Sequence, residues 1–111
     1  MTNYSVGHQA EKDAAGYLVR NGFEVLELNW KTRYCEIDIV AKKRKTMYFV
    51  EVKYRKDDKH GSGFEYITPK KLKQMEFAAR VWLAEQKWEG DCTLAAIAAA
   101  PTGYEFIEIV P

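Results

Sequence analysis

Cysteine is scarce: Cys35 and Cys92 are the only two, and no C-x-x-C spacing is present. That argues against a disulfide framework and a cysteine zinc site, and it suits a reducing cytoplasm. Both are expected as buried free thiols. Long apolar runs are missing too. The longest, Leu94 to Ala100, falls far short of the about 20 residues a membrane helix needs, so no span is expected. Met1-Thr2-Asn3-Tyr4-Ser5 has no basic start and no apolar stretch, and is not expected to be a signal peptide. Internal repeats, low-complexity tracts and linkers are absent. So are several chemistries: there is no G-x-S-x-G, Gly61-Ser62-Gly63 lacks the lysine of a phosphate loop, and His8 and His60 are not at metal-ligand spacing.

What is present is globular. The 111 residues are 47% hydrophobic, 14% aromatic and 30% charged, enough for one core, so 1–111 is expected as a single domain. Net charge is only +1, but it is unevenly spread. Residues 42–73 hold eleven Lys/Arg against four Asp/Glu, a local +7, and the remainder holds six against twelve. This basic middle third is either a polyanion-facing surface or a solvated lysine-rich hairpin and loop.

Val6, Ala10, Ala14, Tyr17 and Leu18 recur at helical steps, predicting a helix from Tyr4 to Arg20 that stops at Asn21-Gly22. Strands are expected at Phe23–Leu28, Glu36–Val40 and Met47–Lys53, the last two joined by a tight turn at Arg44-Lys45. Residues 54–67 have too little apolar content to pack and read as a flexible loop. Thr68-Pro69 opens a second helix, with Leu72, Met75, Ala79, Trp82 and Leu83 as its buried face. Strands at Thr93–Ala98 and Tyr104–Val110 complete an α/β fold of order α-β-β-β-α-β-β around a central mixed sheet.

Strand alternation suggests where chemistry lies. Ile37 and Ile39 should point one way, Glu36 and Asp38 the other; on the next strand Val50 and Val52 should oppose Glu51 and Lys53. A hairpin turning at Arg44-Lys45 sets Asp38 beside Glu51, with Lys53 next along and Glu36 close to it. Adjacent carboxylates repel, and Mg²⁺ or Mn²⁺ would resolve the repulsion. Lys53 could then hold a water or steady charge on a phosphate. The plainer reading is a solvent face carrying cross-strand Lys–Glu pairs.

The ordered set Gly7-x-x-x-Glu11, Asn29-Trp30, Glu36-Ile37-Asp38 and Phe49-Val50-Glu51-Val52-Lys53-x-Arg55 resembles the YraN-like family of small bacterial proteins. Asp38 with Glu51-Val52-Lys53 is similar to the D…(D/E)-x-K signature of the PD-(D/E)XK nuclease superfamily, and the set is similar to archaeal Holliday-junction resolvases. The resemblance covers residues 7 to about 83. It implies a restriction-endonuclease-like core, with Asp38, Glu51 and the Val52 carbonyl as metal ligands and Lys53 on water or phosphate. It further implies Glu11 completing the metal or water shell, and Glu36 as a second acid without an assigned role. Arg55, Lys70, Lys73 and Gln74 are implied as phosphate contacts. Junction-cutting relatives act as dimers, which implies a homodimer here. Two departures stand out: Cys35 occupies a position where the family usually has Gly, and Leu94-Ala95-Ala96-Ile97 lacks the acid that relatives often carry near the fourth strand.

Three functions are expected on these grounds. The first is a Mg²⁺- or Mn²⁺-dependent endonuclease acting on DNA phosphodiesters, including branched or junction DNA. The second is a nucleic-acid-binding module that keeps the fold without cleaving. The third is a protein-interaction domain using the acidic remainder and an edge strand carrying Tyr104, Phe106 and Glu108. Tyr54 and Tyr66, flanking the basic loop, are the base-stacking candidates, each open equally to a packing role. Trp82 and Trp88 are expected in the core or an interface.

Overall fold

A computed structural model describes residues 3–55 and 64–109, with side chains from His8 onward. The elements are α1 (Asn3–Arg20), β1 (Glu24–Lys31), β2 (Glu36–Lys43), β3 (Thr46–Tyr54), α2 (Pro69–Gln86), β4 (Asp91–Ala100) and β5 (Gly103–Ile109). The class is α/β, in the expected order. Of the loop expected at 54–67, residues 56–63 lie outside the described residues, as does His60. Among the described residues, no helix is long and apolar enough to cross a membrane.

The five strands form one sheet in the order β1-β2-β3-β4-β5. β3 and β4 are parallel and every other neighbouring pair is antiparallel. A parallel neighbour needs a crossover, and α2 supplies it. Leu94 to Ala99 of β4 are all buried, which explains an unbroken apolar run where an alternating one is usual. An acid there would be a charge buried without a partner, so the plain sequence of this strand follows from its place in the sheet.

The helices cover opposite faces. Ala14, Ala15 and Leu18 of α1 pack with Ile39, Ala41, Val50, Ala95 and Ile97. Met75, Ala78, Ala79 and Trp82 of α2 pack with Val40, Met47, Phe49 and Leu94. α1 ends as its sequence requires: Gly22 takes φ +89°, and the Phe23 amide returns to the Leu18 carbonyl at 3.0 Å. At the start of α2 the Thr68 hydroxyl accepts from the Lys71 amide at 3.1 Å, with Pro69 following. Its far end is capped by Lys87 at φ +55° rather than by a glycine. Gly90 instead answers to crowding, since a Cβ there would lie 2.6 Å from the Trp88 ring.

Three expectations need correction. Ile37 and Ile39 do not share a face: Ile39 packs under α1 and Ile37 under α2. Simple alternation fails because the last backbone pair of β2 with β3 is Ile39–Val50, and β2 beyond it follows β1 alone. Opposite this break, between the pairs Leu28–Ile39 and Trp30–Ile37, Asn29 of β1 adopts φ +53°. The two strands thus change face together at Asn29 and Asp38. Second, Cys92 is exposed and Cys35 only half-buried, because Cys92 stands at the uncovered start of β4.

Third, among the described residues the basic middle third is not gathered on one surface. Lys42 and Lys43 lie over the rings of Trp88 and Phe23, at 5.2 and 4.9 Å from the ring centroids. They flank the β2–β3 turn and pair with Met47 and Thr46, four and five residues along β3 from Glu51, roughly 13–17 Å at strand rise. The lysines of α2 lie at the other end.

Candidate functional site

The site forms where β2 leaves β3. The main-chain amide of Val52 donates to Asp38 Oδ2 at 2.8 Å, so the carboxyl fills a place where a backbone acceptor of a continuing ladder would stand. Glu11 comes from α1 against the Asp38 carboxyl and the Asn29 side chain. Glu51 comes from β3, close enough for its charge to act strongly on Asp38. Three of the expected site acids, from three elements, therefore meet at Asp38. Glu36 is exposed at the start of β2 and adds a weaker negative influence on Glu11.

The electrostatics follow from this crowding. Burial first, then the Glu51 charge, pushes the Asp38 carboxyl up to about 8, against the Val52 hydrogen bond that lowers it. Burial also raises Glu11, while a hydrogen bond from Asp38 and the nearby His8 pull it back. A protonated Asp38 donating toward a Glu11 carboxylate accounts for both. Glu11 Oε2 is nonetheless buried with no hydrogen-bond partner among the described residues.

Three further participants were given no place among the site residues by the sequence reading. Lys71 Nζ lies 2.8 Å from Glu51 Oε2. Burial opposes its charge, but Glu51 and the other acids hold the ammonium above its ordinary range. Its signal was available: Lys71 lies on the same helical stripe as Met75, Ala78 and Trp82, so it must face the sheet. Tyr66 is the second. Its ring lies under Lys53 Nζ, 5.8 Å from the centroid, and its buried hydroxyl has no partner among the described residues. Burial and the charges of Glu51 and Asp38 disfavour its ionisation. This places Tyr66 within the site, where it packs under Lys53. Asn29 is the third: the sequence offered it only as part of the Asn29-Trp30 motif, and the structure adds its left-handed backbone and its side chain against Glu11.

Lys53 is exposed on β3 beyond Glu51. Lys70, Lys73 and Gln74 come together along an open cleft of about 830 Å³, between α2 and the Thr32–Cys35 turn, with Glu36 and Glu51 in its wall. Arg55 is set apart from these three at the end of β3, its amide bonded to the Ala99 carbonyl at 2.7 Å. Cys35 lines the cleft, and its Sγ is 3.3 Å from the Thr32 hydroxyl. Among the described residues, left-handed backbone outside glycine is confined to Asn29, Arg44 and Lys87, so a side chain at position 35 meets no such strain.

The expected interaction strand β5 is a sheet edge whose named side chains each have a contact within the chain. Tyr104 stacks on Tyr17, Phe106 packs near Phe23, and Glu108 accepts from the Tyr48 hydroxyl at 3.0 Å. Trp82 is in the core, with its indole N–H donated to Glu27, and Trp88 packs beside it, half-buried.

Comparison with known proteins supports the family part of the resemblance drawn from the motifs. Residues 10–106 match the model of Uncharacterised protein family UPF0102. A UPF0102 protein of Vibrio parahaemolyticus is 42% identical over 82 residues, covering 74% of this chain and 68% of that protein. One of Prosthecochloris aestuarii is 37% identical over 103 residues, covering 92% and 81%. One of Fusobacterium nucleatum is 33% identical over 89 residues, covering 80% and 75%. With its site acids, the second half of α1 and all of α2 inside the matched span, the chain belongs to the UPF0102 family.

Proposed function

We propose that this chain is a Mg²⁺- or Mn²⁺-dependent nuclease that hydrolyses phosphodiesters in DNA. The observation that carries the reading is the meeting of Glu11, Asp38 and Glu51 at a strand break, with Lys71 paired to Glu51 and Lys53 over the neighbouring Tyr66 ring. Acids crowded so closely that one keeps its proton near neutral pH are an arrangement that lacks positive charge. The orphaned Glu11 Oε2 is a further donor atom without a partner.

The residues suit a hard divalent ion. Asp38, Glu51 and the Val52 carbonyl are all-oxygen donors of the type Mg²⁺ and Mn²⁺ accept, with water and a substrate phosphate completing the set. Such an ion, when bound, acidifies a water and polarises the phosphate. The protein's own groups do the rest. Asp38 gives up its proton on loading, and Glu11 Oε2 accepts a hydrogen bond from water. Lys53 offsets negative charge on the phosphate undergoing attack, and Lys71 is the ammonium that Glu51 exchanges for the ion. Lys70, Lys73 and Gln74 hold the flanking backbone. Two free thiols and no disulfide suit a reducing cytoplasm. By family analogy the PD-(D/E)XK superfamily, junction substrates and a homodimer belong to the same reading.

One observation favours the second reading, a nuclease fold that binds without cleaving. Among the described residues, no three His, Cys, Asp or Glu side chains form a group that could hold a metal. Glu51 already has Lys71, and Asp38 has its proton. Cleavage of labelled duplex, flap and junction DNA separates the two. In Mn²⁺, product is expected from the wild type and none from Lys53→Ala or from chelator-treated protein. Cleavage that persists with chelator, or DNA retained uncut in Mn²⁺ by the wild type, would sink the nuclease reading.

A further inference from the structure

The cleft that ends at Glu51 has a composition the catalytic reading does not require. Its rim carries Lys31 and Arg33 from the β1–β2 side and Lys70 and Lys73 from α2, facing each other across about 830 Å³. Lys31 and Arg33 lie outside the basic middle third, so charge counting along the chain does not find this surface; the fold assembles it. Two aromatic rings line the same cleft in an exposed state. Tyr34 is 78% exposed and Phe77 49% exposed. Neither belongs to a core cluster, and the Arg33 guanidinium lies 5.7 Å from the Tyr34 ring centroid.

Cations on both banks of a groove fit a polyanion. Exposed rings lining the same groove fit something more restricted. A duplex keeps its base faces stacked inside, whereas an unpaired strand offers each base face to a ring, and aromatics set in a basic groove are the means of holding it. Aligned acids would repel such a strand, but only Glu36 and Glu51 of the cleft's wall are acidic, both at the end where the metal-site acids gather.

We propose that this cleft binds an unpaired polynucleotide strand, its phosphates on Lys31, Arg33, Lys70 and Lys73 and its bases on Tyr34 and Phe77. The proposal rests on the nuclease reading only for the step after binding: the strand is led toward Glu51, making single-stranded or locally unpaired nucleic acid the substrate class. DNA and RNA share the chemistry that the rings and cations recognise.

The test is fluorescence anisotropy in EDTA, so its outcome is independent of whether the protein cleaves. The probes are a 12-nucleotide oligothymidylate, a 12-nucleotide oligouridylate and a 12-base-pair DNA duplex. At least one single strand is expected to bind about tenfold or more tightly than the duplex. Tyr34→Ala and Phe77→Ala, both at exposed positions, are each expected to weaken that strand about tenfold while changing duplex binding little. Arg33→Ala should weaken both and flatten the salt dependence. Whichever single strand binds more tightly identifies the sugar preferred. Duplex binding equal to or tighter than both single strands, or ring variants that bind the strand like wild type, would overturn the proposal. A chain that passes this test but never cleaves would keep the cleft and lose the nuclease reading.

Discussion

The carboxyl of Asp38 accepts the Val52 amide at 2.8 Å just past the last backbone pair of β2 with β3. One side chain thus closes a gap in the sheet and stands at the centre of the acid cluster. Both duties bear on stability. A carboxyl pushed up to about 8 stabilises the fold while protonated. That contribution is complete below the unfolded value near 4 and is lost as pH rises toward 8. Asp38→Asn keeps an oxygen for the Val52 amide and carries no charge. In chelator at pH 8.5 it is expected to exceed the wild type by about 2 kcal/mol, roughly 5–15 °C in Tm, and the two should converge near pH 4. Thermal unfolding followed by circular dichroism across pH 4–9 checks it; parallel curves would contradict the assignment.

Lys71 gives a prediction with two opposite signs. Its 2.8 Å ion pair with Glu51 is partly screened from water, and losing it leaves Glu51 facing Asp38. Lys71→Met is expected to destabilise by about 1 kcal/mol in chelator. The same change removes the ammonium that competes for Glu51, so Mn²⁺ affinity should rise several-fold. Urea titration and calorimetry read the two effects on one protein. A fall in both would make Lys71 a part of the metal site rather than its competitor.

Much of this arrangement was legible in the chain. The Arg44-Lys45 turn gave the β2–β3 register, because a two-residue hairpin fixes which numbers face each other, and Ile39 does face Val50. Thr68-Pro69 announced the start of α2 through cap chemistry alone. The break at Asn29 and Asp38 was not legible. Nothing in Glu36-Ile37-Asp38-Ile39 departs from alternation, and the change of face arises because β3 turns to β4 while β2 stays with β1. The rim of the cleft was hidden for a similar reason, since Arg33 and Lys73 are forty residues apart in sequence and meet only through the crossover.

The Trp82–Glu27 contact tests the core independently of the site. Trp82 stands on the buried face of α2, and its indole N–H is donated to Glu27 of β1. Glu27→Ala leaves that donor in the core without a partner, at an expected cost of about 1–3 kcal/mol. Glu27→Gln retains an acceptor and should cost less than half as much. Paired urea curves decide it: equal losses would mean the acceptor is dispensable and water satisfies the indole.

Metal binding, finally, should carry the signature of the Asp38 proton. A divalent ion and a proton cannot share that carboxylate, so loading below about pH 8 must expel the proton. Affinity for Mn²⁺ is therefore expected to climb with pH, approaching tenfold per unit between pH 6 and 7.5, and to level off above pH 8.5. Calorimetry at pH 6.5 in two buffers of different ionisation enthalpy should report release of about one proton per ion, falling toward zero at pH 9. Asp38→Asn should bind more weakly and lose the slope. A wild type that binds Mn²⁺ with no proton release would place the ion away from Asp38. One that binds only when oligonucleotide is present would mean that a substrate phosphate supplies the ligand that Glu11, Asp38 and Glu51 cannot.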